Sequence, residues 1–143
     1  MDIIEKQIHT TAPAAVIFKI YEDVANWHRW DPDTKAAQLN PGLVLGAKGS
    51  LTPSKGKTVP MEITAFALNR RFTATSKTLL FRLDFEHELT PTENGILILH
   101  RVTFSGLLKP LLSRLLGPQI EKGLPVTLQQ LKALAEVAHT NND

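Results

Sequence analysis

The side chains best suited to chemistry in this 143-residue chain are two histidines, His87 and His100, and those within the stretch N-W-H-R-W-D-P, Asn26 to Pro32. Histidine changes charge near neutral pH, so two of them on one wall can bind or protonate a carbonyl. The plainer alternative is a pair of neutral imidazoles that fill space and hydrogen-bond to each other or to water. Zinc asks for at least three protein ligands, and no third ligand is placed beside the pair, so no metal is expected. His28, Asp31 and Asp33 carry ligand chemistry of their own, but Trp27 and Trp30 stand three residues apart and share one face of a helical turn. The stretch reads as an amphipathic turn: a lid packed on the core, or the rim of an apolar pocket. Arg29 could stack on a nucleobase, yet one arginine does not make a nucleic-acid surface.

The whole chain narrows the classes further. It holds no cysteine, which removes disulfides, thiolate metal sites and cysteine nucleophiles. No serine-nucleophile motif, phosphate loop or dinucleotide fingerprint is present, and no cofactor is expected. The net charge is +2, the basic residues are scattered, and the densest pair is Arg70-Arg71; a nucleic-acid binder would show a basic stripe. The start D-I-I-E-K lacks the basic and apolar regions of a signal peptide. The longest apolar-rich run, L-L-K-P-L-L-S-R-L-L-G, is broken by Lys109, Pro110 and Arg114, so no membrane span is expected and the expected location is cytoplasmic. The length fits one domain, and 43% hydrophobic residues suffice for one core.

The elements that must position these residues follow from periodicity and punctuation. Residues 3–9 read as a first strand. Thr10-Thr11-Ala12-Pro13 reads as a helix start, with threonine as the cap and proline in the first turn. Val16, Ile17, Ile20 and Val24, widened by Phe18 and Tyr21, predict a helix over 13–23, and a short second helix or turn over 24–30 stops before Asp31-Pro32. Turn signals then recur at hairpin intervals, separating strands at 34–39, 46–53, 58–67, 71–77, 79–89 and 96–105. From Lys109 to about Val137 the apolar stripe is helical, with Gly117-Pro118 and Gly123-Leu124-Pro125 expected to bend or interrupt it.

One strand shows its faces plainly. Phe81, Leu83, Phe85, His87 and Leu89 point one way, and Arg82, Asp84, Glu86 and Glu88 the other. The charged set, which holds the only paired carboxylates, faces water; His87 faces inward. A four-residue loop from Thr92 to Gly95 pairs residues whose numbers sum to 187. His87 then faces His100, Phe85 faces Val102, Leu83 faces Phe104 and, outside, Glu86 faces Arg101; a two-residue slide of the partner strand would keep the same faces but separate the histidines along the sheet. Leu97 and Leu99 fall on the outer face, which leaves two readings: cover by side chains of a neighbouring strand, or a homodimer.

Seven strands span about 34 Å, whereas one helix is about 10–12 Å across. A flat sheet of that width cannot be covered by a single helix, so the sheet must curl and enclose volume. The expected class is α+β: a curved seven-stranded antiparallel sheet wrapped around a long C-terminal helix, with two short helices after strand 1.

This pattern resembles the START-like, helix-grip proteins, also called the SRPBCC or polyketide cyclase/dehydrase and lipid-transport superfamily. The resemblance is carried by T-T-A-P-A-A-V-I-F-K-I-Y-E-D-V-A-N-W-H-R-W-D-P, by L-N-R-R-F before the fifth strand, by H-R-V-T-F-S-G, and by L-P-V-T-L-Q-Q-L-K-A-L-A-E in the closing helix. It covers nearly the whole chain and implies one domain over 1–143, with the tail 139–143 expected to fray. It also implies a hydrophobic cavity between sheet and final helix, lined or closed by Trp30, Met61, Ile63, Phe72, Phe81, Phe85, His87, His100, Phe104, Ile120 and Leu124. The fold hosts carriers, cyclases, dehydratases and regulators, and no shared catalytic motif transfers. The leading expectation is binding of a small hydrophobic or aromatic ligand, lipid- or polyketide-like. The alternative is a polyketide cyclase/dehydratase-type enzyme moving a proton with His87 or His100; a third is a regulatory module that binds a protein partner.

Overall fold

The structure is a computed structural model that describes residues 2–141. Strand β1 (Ile3–Thr10) is followed by helix α1 (Ala14–Glu22) and a 3-10 turn over Val24–Arg29. Six strands follow: β2 (Thr34–Asn40), β3 (Lys48–Pro53), β4 (Val59–Ala67), β5 (Arg71–Lys77), β6 (Arg82–Thr92) and β7 (Gly95–Ser105). Helix α2 (Lys109–Asn141) closes the chain. The strands form one curved antiparallel sheet in the order β1-β7-β6-β5-β4-β3-β2, and α2 packs against β1, β7 and α1.

Helix α1 buries Ile17, Phe18 and Tyr21. Its expected threonine cap is absent: Pro13 holds the cap position without a side-chain bond. Thr10 instead accepts the Ala12 N–H at 3.2 Å and donates to Glu136 at 2.7 Å, tying β1 to α2. The 3-10 turn ends before Asp31-Pro32, turning Trp27 and Trp30 inward and His28 and Arg29 out.

The β6–β7 register is the one the alternation predicts, with His87 opposite His100, Phe85 opposite Val102 and Glu86 opposite Arg101. The strands run one residue further than expected on each side, to Thr92 and Gly95, so the connection is Glu93-Asn94 alone. Gly95 sits at φ 149°, and a Cβ there would stand 2.1 Å from the Thr10 carbonyl oxygen, so no other residue fits this close approach. Leu97 lies between His9 and Thr90, and Leu99 between Gln7 and Glu88, each half-buried within the one chain. On the same outer face Arg101 pairs with Glu5 at 2.7 Å, Glu86 at 3.5 Å and Glu88 at 3.8 Å.

One expectation about α2 is corrected. Neither Gly117-Pro118 nor Gly123-Leu124-Pro125 interrupts it; both prolines lie inside one unbroken helix. Each removes one ladder donor, but Pro118 and Pro125 are exposed, as are Arg114 and Glu121, whose carbonyls lose that donor, so water can serve them. The helix also continues through Asn141, so residues 139–141 are helical; 142 and 143 lie outside the described residues.

Candidate functional site

The core is divided. The larger cluster joins α1, the 3-10 turn, the middle of the sheet and the second half of α2 through Phe18, Tyr21, Trp27, Phe72, Leu128 and Leu131. The smaller one holds Ile4, Leu83, Val102 and Phe104, against which Leu112, Leu116, Ile120 and Leu124 of α2 are only partly buried. A cavity of about 260 Å³ opens between the sheet and this first half of α2. Its walls come from the 3-10 turn and the start of β2, from β3 through β7, and from α2 between Leu116 and Thr127.

Of the residues expected at the cavity, Trp30, Met61, Phe81, Phe85, His87, His100, Ile120 and Leu124 line it. Ile63, Phe72 and Phe104 do not. Ile63 and Phe72 are fully buried in the larger cluster and Phe104 belongs to the smaller one. Phe72 acts from behind: its ring stacks on His87 at 4.0 Å and 8° and holds the imidazole flat. Alternation along a strand tells which face a side chain takes, not how deep other side chains bury it.

The closed end of the cavity is polar and aromatic. His87 and His100 meet at 4.6 Å between ring centroids. His87 Nδ1–H donates to the Phe72 carbonyl at 3.3 Å, which fixes the tautomer and leaves Nε2 as an acceptor. His100 Nε2 shares a 2.8 Å hydrogen bond with the Tyr21 hydroxyl. Trp27 Nε1–H donates to the Tyr21 carbonyl at 2.8 Å. Trp30 Nε1–H is buried and has no partner among the described residues, although its ring lies 6.0 Å from His100 and 6.4 Å from His87.

Burial sets the charge states. It lowers the His87 pKa to about 4, outweighing the carbonyls of Phe72 and Phe85 that favour the proton. It lowers that of His100 well below the ordinary value, with His87 adding repulsion. Both rings are therefore neutral at pH 7. Burial likewise raises the Tyr21 pKa and keeps its hydroxyl protonated.

Residues beyond the sequence-based expectation complete the mouth. Asp31 accepts hydrogen bonds from Thr34 Oγ1 at 2.8 Å, the Asp33 N–H at 3.0 Å and Thr127 Oγ1 at 3.3 Å. Burial raises its pKa, with these bonds acting against the rise. Gln119 Nε2–H donates to Asp33 at 3.4 Å. The tryptophan turn is thus fastened to α2 at the edge of the cavity. Tyr21 carried one usable signal: a tyrosine in a buried helical stripe needs a partner for its hydroxyl. The Thr127 bond, across 96 residues, carried none.

A family model described as polyketide cyclase / dehydrase and lipid transport matches residues 1–136. The chain belongs to this family. Solved structures agree on the fold. A START superfamily protein from Mycobacterium smegmatis is 16% identical with a TM-score of 0.68, over 94% of this chain and 97% of that one. A hypothetical protein from Helicobacter pylori is 12% identical with a TM-score of 0.77, over 93% and 87%. The di-domain ARO/CYC protein StfQ of the steffimycin biosynthetic pathway is 13% identical with a TM-score of 0.72, over 95% of this chain and 51% of that one. At such identities the likeness shows the fold alone. No curated protein matches the chain. The family and fold fit a ligand-binding or cyclase-like function, and no helix among the described residues is long and apolar enough to cross a membrane.

Proposed function

We propose that the protein is a cytoplasmic binder of one small hydrophobic or aromatic ligand, lipid- or polyketide-like, held between the sheet and the first half of α2. One observation carries this reading: a mainly apolar cavity is lined by Trp30 and by two neutral imidazoles, His87 and His100. A ligand hydroxyl is the best match, because it can donate its proton to His87 Nε2. A volume of about 260 Å³ sits just below the range of about 300–1,000 Å³ common for small-molecule sites, which favours a single compact molecule over a long acyl chain. Neutral histidines carry no imidazolium proton near pH 7, so in the cyclase/dehydratase alternative they would act first as bases.

Native mass spectrometry of the protein purified from its own host tests the reading. A retained organic mass, released on denaturation and displaced by an apolar dye that quenches tryptophan fluorescence, is expected. An empty protein whose fluorescence ignores the dye would overturn it. Turnover of a poly-β-keto substrate, lost in His87→Ala or His100→Ala, would make the protein an enzyme instead. An empty cavity with a stable protein partner would favour the regulatory module.

A further inference from the structure

Several large apolar side chains left in water gather at one end of the molecule. Leu79 and Leu80 occupy the β5–β6 turn, Leu107 the β7–α2 junction, and Leu111 and Leu115 the outer side of the first turns of α2. Leu79 is 97% exposed and Leu107 82%. The two connections are tied together: Leu108 N–H donates to the Leu80 carbonyl at 2.9 Å. At Gly106 (φ 98°) a Cβ would stand 2.7 Å from Phe81 Cα, so only glycine lets the junction lie against the turn. A lone exposed leucine is ordinary; five on two joined connections and the helix that follows mark an interaction surface.

The unpaired charges around them are basic. Residues 76–81 and 105–120 contain Lys77, Lys109 and Arg114 and no acid. The nearby acids are engaged, Asp2 with Lys109 at 3.2 Å and Asp84 with Arg82 at 3.0 Å. Among the described residues Lys77 and Arg114 have no acidic partner. The inner side of the same helical turns is apolar too, with Leu112 and Leu116 facing the core and the cavity. A helix start that is apolar on both sides and basic between them suits an interface, not bulk water.

We propose that this end docks on an anionic lipid surface. The leucines enter the boundary between headgroups and acyl chains, while the unpaired Lys77 and Arg114 extend to the headgroup phosphates. A second copy fits less well, because a two-fold contact would set Lys77 and Arg114 against their own equivalents, and the nearby acids Asp2 and Asp84 are already paired. Phe81 and Leu116, adjacent in sequence to Leu80 and Leu115, line the cavity, so docking places the cavity beside the lipid. The proposal concerns the surface and stands whether or not the cavity holds a ligand.

Flotation of the full chain with vesicles is the test, comparing pure phosphatidylcholine with phosphatidylcholine containing phosphatidylglycerol. Binding to the anionic vesicles, weakened by added salt, is expected. Leu79→Glu and Leu107→Glu should each lower it about tenfold, and Lys77→Glu and Arg114→Glu about fivefold, on anionic vesicles only. Circular dichroism and the melting midpoint of these surface variants should match the parent, which separates docking from folding. The proposal fails if anionic vesicles are not bound, or if Leu79→Glu and Leu107→Glu bind them as the parent does. It fails equally if sedimentation shows a dimer that Leu107→Glu dissolves, since a second copy would then cover the patch.

Discussion

Where α1 and the 3-10 turn cover the sheet, Phe18, Tyr21, Trp27 and Phe72 meet at centroid distances of 5.0 to 6.4 Å and exclude solvent. Under the first half of α2, Leu112, Leu116, Ile120 and Leu124 remain half-buried over open volume. Helix α2 spans both regions. Its second half, through Leu128, Leu131 and Ala135, is shut into the core; its first half roofs a space. Aromatic side chains of α1 and the 3-10 turn fill one region, whereas in the other Trp27 and Trp30 reach only the wall. The packed region matters to the hollow one because it supplies the rigid backing for His87 and His100.

The sharpest way to break this contrast is to truncate one residue on each side. Phe72→Ala should cost about 3–5 kcal/mol in denaturant unfolding, the range for a fully buried phenylalanine. Leu124→Ala, which already faces open space, should cost about 1 kcal/mol or less. Equal losses would mean that the hollow region is as tightly packed as the other.

Acid should act through the packed side. His87 binds its proton at about 4 when folded and near 6.5 when unfolded, so between those values the unfolded chain carries more protons. Stability is therefore complete above pH 6.5 and falls as the pH drops toward 4, by on the order of 3 kcal/mol from this ring. His100, lowered in the same direction, adds to the loss. His87→Gln should make the fall shallower; an unchanged slope would mean that the ring meets water in solution.

Smaller effects sharpen the picture. Tyr21→Phe removes the bond to buried His100 and should cost about 1–2 kcal/mol; it should also move the tryptophan emission, because the Tyr21 ring lies 5.6 Å from Trp30. Gly117→Ala should stabilise by about 0.5–1 kcal/mol. Its new methyl would meet Ile4 Cδ1 at an ordinary 3.8 Å, so a loss would show that the helix lies closer to β1 than the structure places it.

Most of the fold is legible in the sequence, because alternation, turn residues and a helical stripe are local signals. The histidine pair is legible for the same reason: one short hairpin connects its strands, alternation fixes their faces, and the loop length selects the register that sets the two opposite each other. Depth is not legible, and this is why Phe72 reads as a wall residue when it is the backing behind one. The fastening of Asp31 to Thr127 depends on the distant second half of α2. The prolines at 118 and 125 misled because their cost depends on whether water reaches the freed carbonyls, which only the folded surface decides.

The direct opposition of His87 and His100 restricts how the hairpin can change length. With the Glu93-Asn94 reversal held in place, one residue inserted in the arm between His87 and that reversal would bring His87 opposite Arg101 and put the two imidazoles on opposite faces of the sheet. Extra residues are harmless only in the reversal itself, so the spacing along both arms belongs to the site as much as the imidazoles do.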